Sequence, residues 1–292
     1  MKFSVIIPTY SRLELLHKAL HSVSNQTYKN YEVLVVNDNP AEQPDVDEIV
    51  SKFVQTKAFH HEKSLGGNAA RNSGIKHSTG GLIAFLDDDD TWLSSKLSQH
   101  YNEHQKDSST GLIYSDCMYV YEHSSIPDVL YSAELPDNVL EAMGKGIFCP
   151  ATSSIVTIKR ECVNECGMFD ENLPSFQDWD YWFRIAHKFK FAHIPQVLVH
   201  FRQHLGDRTS QNENKRRNGL QKISTKWANE IDVVKFTKTS LSSIYYKNAR
   251  NALLAGNKSA AFQNSLKLFN PTVVSFRSIK GFIKLCLSIL KA

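Results

Sequence analysis

The sequence predicts a layered α/β domain built on parallel βαβ units, followed by a helical extension. Three observations predict it. Apolar runs alternate with segments of helical spacing from Phe3 to His104, the pattern of strands lying parallel between crossover helices. Four consecutive aspartates, Asp87 to Asp90, follow directly on the apolar run Leu82–Leu86, and the carboxyl end of a buried strand is where open α/β sheets bind ligands. From Asn214 onward only helical patterns remain.

Phe3–Ile7 is a short apolar strand stopped by Pro8, and Arg12–Ser24 carries Leu13, Leu16, Ala19, Leu20 and Val23 at helical spacing. Tyr31–Val36 is a second strand, ended by the turn residues Asn37-Asp38-Asn39-Pro40. Val46–Val54 reads as a helix and Ala58–His60 as a third strand. Gly66-Gly67 opens a helix through His77, Leu82–Leu86 is the next strand, and Leu93–His104 the next helix. Beyond Gly111 the pattern changes. Leu112–Ser115, Met118–Tyr121 and Val129–Ser132 read as strand pieces, Asp137–Lys145 as a helix and Ser154–Ile158 as a strand. Lys159–Cys166 is helix-like up to Gly167, Asp178–His187 is an aromatic-rich helix, and Phe189–Ile194 and Val197–Phe201 are two further strands. These elements define an α/β domain over 1–205 and a helical region over 206–292. In the latter, Tyr245–Ala255 and Ser259–Phe269 form a helical hairpin across Gly256-Asn257, and Val273–Leu290 is an amphipathic helix with a basic stripe.

The 292 residues accommodate one large domain with an appendage, and 41% hydrophobic with 22% charged residues is a globular composition, not a disordered one. The five cysteines are scattered and odd in number, which argues against a disulfide framework. Cys162 and Cys166 have no second Cys/His pair at zinc-finger spacing, which argues against structural zinc. The N-terminal apolar run is too short for a signal peptide, and no 18-residue apolar stretch exists, so a cytoplasmic location is expected. The net charge of +4 hides an asymmetry: residues 205–292 hold 16 Lys/Arg and 4 Asp/Glu, a balance of +12, leaving 18 basic and 26 acidic residues, or −8, in 1–204. A basic back suits either an anionic membrane surface or a solvated helical region. Val273–Leu290 equally suits a membrane interface or docking on its own domain. Lys215-Arg216-Arg217 is a single cluster without interleaved aromatics, so nucleic acid is not the expected partner.

Four adjacent carboxylates repel one another, and a divalent cation carrying phosphate is the natural neutraliser; the alternative is a solvated acidic turn. Asp87-x-Asp89-x-Thr91 also fits a haloacid-dehalogenase phosphatase nucleophile formally, but that motif belongs at the end of a first strand.

Six segments in order resemble family 2 glycosyltransferases. They are Val5-Ile6-Ile7-Pro8-Thr9-Tyr10-Ser11-Arg12, Val36-Asn37-Asp38, Gly67-Asn68-Ala69-Ala70-Arg71-Asn72-Ser73-Gly74, the acidic run, Gln177-Asp178-Trp179-Asp180-Tyr181-Trp182-Phe183-Arg184, and Phe201-Arg202-Gln203-His204. The resemblance implies a GT-A fold, with a mixed, mainly parallel sheet flanked by helices. It implies inverting transfer of a sugar from a nucleotide-sugar, preferably UDP-linked, with Mn²⁺ or Mg²⁺. The acceptor it implies is a glycan or lipid-linked glycan of surface-polysaccharide type, on the cytoplasmic face of the plasma membrane. A catalytically inactive, membrane-docked nucleotide-sugar-binding module is the alternative.

The same resemblance assigns roles. Asp89 is the expected metal ligand, with His204 beside it, and Asp87 contacts ribose or a metal-bound water. Asp90 supports the loop or faces the acceptor, and Asp88 is the variable, exposed member. Asp38 is expected against the nucleotide base, with an Asx turn as its other reading. Thr9, Tyr10 and Arg12 line the nucleotide pocket, although Arg12 also fits an ordinary first helical turn. Arg71 contacts the nucleotide, and Arg202 and Arg208 are phosphate candidates. Asp178 is the general base that takes the acceptor hydroxyl's proton, with Asp180 as runner-up; Gln177 replaces the family's glutamate before it.

Overall fold

The computed structural model of the chain describes residues 1–121, 128–203, 212–254, 256–270 and 283. His204, Gly206, Arg208 and, but for Ile283, the predicted helix Val273–Leu290 lie outside the described residues. The chain divides into two compact units. One comprises Met1–Val139, Cys149–Glu171 and Gln177–His204; the other comprises Leu140–Phe148, Asn172–Phe176 and Leu205–Ala292.

In the first unit, β1 (Phe3–Thr9), β2 (Tyr31–Asn37), β3 (Thr56–His60) and β4 (Leu82–Phe85) are parallel, in the spatial order β3-β2-β1-β4. The helices α1 (Leu13–Ser24), α2 (Gln43–Ser51) and α3 (Gly67–His77) connect them. β1 and β4 are central and buried on both faces, which is why they read as continuous apolar runs. The chain moves outward from β1 to β2 and β3, then returns to β4 on the other side of β1. That reversal opens a crevice at the carboxyl ends of β1 and β4. α3 lies close against β1 because position 74 is glycine: a Cβ there would come within 2.4 Å of Ile6 Cγ2.

After β4 come β5 (Thr91–Trp92), α4 (Lys96–His104), β6 (Thr110–Val120), β7 (Val129–Tyr131) and α5 (Val139–Gly144). Then follow β8 (Val156–Lys159), α6 (Arg160–Cys166), α7 (Gln177–Ala186) and β9 (Lys190–Arg202). β8 is antiparallel to both β4 and β6, while β9 is parallel to β6 and antiparallel to β5, so the sheet, nine-stranded among the described residues, is mixed. The core behind it contains a polar chain along α4. Fully buried Lys96 donates from Nζ to Ile155 C=O (3.1 Å) and to His100 Nε2 (2.9 Å). Thr157 Oγ1 lies 2.9 Å from both His100 Nδ1 and His104 Nε2. Burial keeps both imidazoles uncharged, holding His104 down at about 3.

Several boundaries differ from the sequence-based expectation. The two strand pieces after Gly111 form one strand, β6. Phe189–Ile194 and Val197–Phe201 likewise join as β9. Ser115 pairs with Ile194 and Asp116 with Val197, so Pro195 and Gln196 form a bulge, a place where the missing proline N–H breaks no ladder bond. β5 and the 3₁₀ turn Ser153–Ile155 are too short to show any periodicity.

In the second unit, α8 (Glu213–Lys226), α9 (Val233–Leu254) and α10 (Lys258–Leu266) are the main helices. α9 and α10 form the expected hairpin, but α9 begins at Val233 rather than Tyr245. Asp232 caps it by accepting from Lys235 N–H (2.9 Å). Asn257 caps α10 in the same way through Ala260 N–H (2.9 Å). Among the described residues no helix is long and apolar enough to cross a membrane.

Candidate active site

The four aspartates follow β4 directly, at the reversal point of the sheet. They form a turn closed by Asp90 N–H donating to Asp87 C=O (3.0 Å). Asp90 is buried, and its two oxygens accept from Ser154 Oγ (2.6 Å) and Arg202 N–H (3.2 Å). These bonds tie the end of the turn to the segment before β8 and to β9, and Arg202 reaches the run through its backbone. Asp89 Oδ2 accepts from Arg12 Nη1 (3.0 Å). Asp87, the most accessible of the four, accepts from Arg71 Nη2 (2.5 Å) and Ser153 Oγ (3.3 Å).

Asp88 corrects an expectation. It is not a solvated member of the run but is 4% exposed. Its oxygens accept from Thr9 Oγ1 (2.8 Å) and Arg12 Nη1 (3.0 Å), which locks the loop after β1 onto the acidic turn. Burial pushes its carboxyl up to about 6, against the pull of Arg12 and Thr9. Arg12 is thus the resident cation of Asp88 and Asp89, not a free first-turn residue. Tyr10, beside it, is 53% exposed and available to a ligand at this edge.

Asp38 ends β2 and is equally committed. Its N–H donates to Thr9 C=O (2.9 Å). Oδ1 accepts from Leu65 N–H (2.8 Å) and lies 2.7 Å from His61 Nδ1. Oδ2 accepts from Ser64 Oγ (2.7 Å) and Gly66 N–H (2.9 Å). Burial works to raise this carboxyl, yet these four bonds hold it below the usual range. All four acceptor positions are filled within the chain. Asp38 therefore organises the loop into α3, where Gly66 takes the left-handed φ of 91°. A base N–H would have to replace one of these donors, and the Ser64 hydroxyl is the one that can rotate away.

Arg71, one turn inside α3, is buried with its guanidinium 5.7 Å from the Phe169 ring centroid. Its charge acts on three carboxylates, Asp87, Asp178 and Asp88. Asp178 lies in the first turn of α7, partly accessible, and its Oδ1 has no hydrogen-bond partner among the described residues. Burial raises its carboxyl to about 6; Arg71 pulls it down and Asp87 pushes it up. Asp180 is fully buried and pairs with Arg184 Nε (3.1 Å), whose other nitrogens donate to Cys166 and Met168 C=O. That commitment to the core removes it as the alternative base.

Two asparagines of the Gly67–Gly74 segment, Asn68 and Asn72, brace this edge. Asn72 exchanges bonds with Phe169, donating to its C=O (2.9 Å) and accepting from its N–H (3.0 Å), while Asn68 donates to Asp170 C=O (3.0 Å). These two asparagines, one helical turn apart, tie α3 to the segment leading toward α7. His61, Ser64, Ser153 and Ser154 carry no signal in the sequence, because their roles depend on distant partners.

One carboxylate oxygen from each of Asp87, Asp89 and Asp90 lies within 4.8 Å of the others. Hard oxygen donors at this spacing fit Mg²⁺ or Mn²⁺. With both oxygens of Asp90 engaged by protein donors, Asp87 and Asp89 are the residues that would hold the ion.

The family model for glycosyl transferase family 2 matches residues 4–127. The amylovoran biosynthesis glycosyltransferase AmsB of Erwinia amylovora is 31% identical over 212 residues, covering 69% of either chain. An uncharacterized glycosyltransferase of Rickettsia felis is 30% identical over 247 residues, 82% of this chain but 39% of that protein. The chain thus spans about two fifths of that relative's length. Among solved structures, S. aureus TarS 1-349 in complex with UDP-GlcNAc superposes with a TM-score of 0.60 at 16% identity, covering 100% of this chain and 81% of that one. Mannosyltransferase PcManGT from Pyrobaculum calidifontis in complex with GDP-Man and Mn²⁺ gives 0.59 at 18% identity, covering 99% and 86%. Both share the GT-A-type fold.

Proposed function

The chain belongs to glycosyl transferase family 2, and from that premise we propose that it moves a sugar from a UDP-linked donor to a hydroxyl of a glycan or lipid-linked glycan, with inversion at the anomeric carbon. The observation that carries this reading is the position of Arg71. Its cation acts on Asp87, in the acidic run, and on Asp178, on α7, so a phosphate-side carboxylate and a candidate base share one charge. Asp178 accepts the acceptor's hydroxyl proton. The hydroxyl oxygen bonds to the anomeric carbon from the face opposite the leaving nucleoside diphosphate, whose bond to the sugar breaks. Asp87 and Asp89 would hold Mn²⁺ or Mg²⁺, which would supply positive charge against that developing on the diphosphate. Arg12 keeps the acidic turn from self-repulsion, and Tyr10 lies open to the nucleotide. The structures of TarS with UDP-GlcNAc and of PcManGT with GDP-Man and Mn²⁺ support a nucleotide-sugar donor and a divalent ion. The polysaccharide role in AmsB's name supports the acceptor class.

A panel of nucleotide-sugars with Mn²⁺ or Mg²⁺, read by thermal shift, tests the donor. A ligand at 100 times its Kd stabilises by about 2.7 kcal/mol, and at least one UDP-sugar is expected to do so in a metal-dependent way. No stabilisation by any nucleotide-sugar refutes the reading. The base predicts a pH dependence. Its carboxyl, raised to about 6, is ionised at neutral pH and protonated below. kcat/KM is therefore expected to fall as pH drops through about 6, and a profile flat down to pH 5 contradicts the assignment.

The balance of +12 over residues 205–292 supports docking on the anionic cytoplasmic face of a membrane. The full chain is expected to sediment with vesicles containing phosphatidylglycerol, less so in high salt, and removal of residues 273–292 should weaken that partitioning. Unchanged partitioning of the shortened chain rules out the anchoring role of that segment.

A further inference from the structure

We propose that Ser154 is the positioning residue of the acidic turn, and that its hydroxyl sets the affinity of Asp87 and Asp89 for a divalent ion. This rests on the reading of the turn as a metal site. Ser154 is fully buried in the 3₁₀ turn that leads into β8. β8 runs antiparallel to β4 with Leu82 opposite Lys159, Ile83 opposite Ile158 and Ala84 opposite Thr157. Carried three residues beyond the ladder, the same register sets Asp87 opposite Ser154.

At that point the backbone ladder has ended, and the serine side chain replaces it. Asp87 N–H donates to Ser154 Oγ (3.1 Å) rather than to a main-chain carbonyl. The single hydroxyl proton is then committed to Asp90 Oδ2 at 2.6 Å. The Ser154 carbonyl, turned away by the 3₁₀ geometry, accepts from Trp92 Nε1 (2.9 Å). One residue thus grips the start of the turn, its end and the strand that follows. Next to it, Ser153 Oγ reaches Asp87 Oδ1 (3.3 Å). With Asp90 consumed as the anchor, the geometry of Asp87 relative to Asp89 depends on a fixed turn. Groups that orient metal-binding carboxylates without touching the ion typically change metal affinity by 10–100-fold when removed.

The sequence offers a matched control. Thr157 is another fully buried hydroxyl, three residues on, that bonds only to His100 and His104 among the contacts described above. Mn²⁺ binding is measured on the full chain, with and without UDP, by electron paramagnetic resonance of the free ion, alongside thermal stability. Ser154→Ala is expected to weaken Mn²⁺ binding by about 10-fold or more, whereas Thr157→Val lowers stability and leaves Mn²⁺ affinity within about 2-fold. Ser154→Thr, which keeps the hydroxyl, should recover Mn²⁺ affinity. Ser154→Cys keeps the side-chain volume with a weak donor, and reads the same quantity if the alanine chain does not fold. Unchanged Mn²⁺ affinity in the folded Ser154 variants overturns the proposal, as does an equal loss in Thr157→Val. If the wild-type chain binds no Mn²⁺, or Asp89→Ala binds it equally well, the metal reading itself fails instead.

Discussion

Asp178→Asn is expected to abolish sugar transfer, keep donor affinity and raise thermal stability. The loss of transfer follows from its role: a positioned general base contributes about 10²–10⁴-fold, and Asp180 cannot substitute while it is buried against Arg184. Donor affinity is retained because the acidic turn, Arg12 and Arg71 are untouched. The stability gain follows from the sign of the shift. The folded-state carboxyl is raised to about 6 from the usual 3.8, first by burial. Such a group favours folding at pH below 3.8, and that contribution is lost as pH rises through about 6. At pH 7 to 8 the ionised carboxylate is therefore a net cost. Replacing it by a neutral amide of the same shape should return on the order of 1–2 kcal/mol after solvent screening, or roughly 2–6 °C in Tm. The gain should vanish in acid. A variant with full transfer activity removes Asp178 as the base, and a lower Tm at pH 8 contradicts the electrostatic account.

Asp89→Ala is expected to remove the metal-supported part of donor binding. Asp89 lies in one acidic cluster with Asp87 and Asp90, and on the proposed reading a Lewis-acid ion on a leaving diphosphate is worth several kcal/mol, so turnover should fall roughly 10³-fold or more. The chain should still fold, because Arg12 keeps its bond to Asp88 and Thr9 still holds the other oxygen. The diagnostic result is a nucleotide affinity that no longer changes when Mn²⁺ is added. A variant that still gains affinity from Mn²⁺ assigns the ion to other residues.

The parts of this account legible in the sequence are those with local causes. β1 and β4 are buried on both faces and appear as apolar runs; the acidic turn follows one of them without a break. The αβ alternation predicts the parallel half of the sheet. What was not legible depends on tertiary partners. Asp88 looks like any other aspartate in a charged run, and only the position of Thr9 and Arg12 across the crevice explains its burial. The loop-organising bonds of Asp38 are invisible in the sequence, because the backbone N–H groups of Leu65 and Gly66 leave no trace in side-chain sequence. Ser154 reads as the first residue of a strand, whereas the 3₁₀ turn before β8 gives it two partners in the acidic turn, Asp87 and Asp90, and a third, Trp92, in β5. Pro195 suggests a break between strands, yet the facing strand β6 absorbs it as a bulge.

The central claim is nucleotide-sugar transfer at the edge formed by the acidic turn and Asp178. Its most direct test is release of nucleoside diphosphate from a panel of nucleotide-sugars in the presence of Mn²⁺ and candidate glycan acceptors. The expected result is metal-dependent release that chelation stops and that Asp89→Ala and Asp178→Asn both lose. Release of inorganic phosphate from simple phosphomonoesters, abolished by Asp87→Asn and indifferent to Asp178, would contradict it.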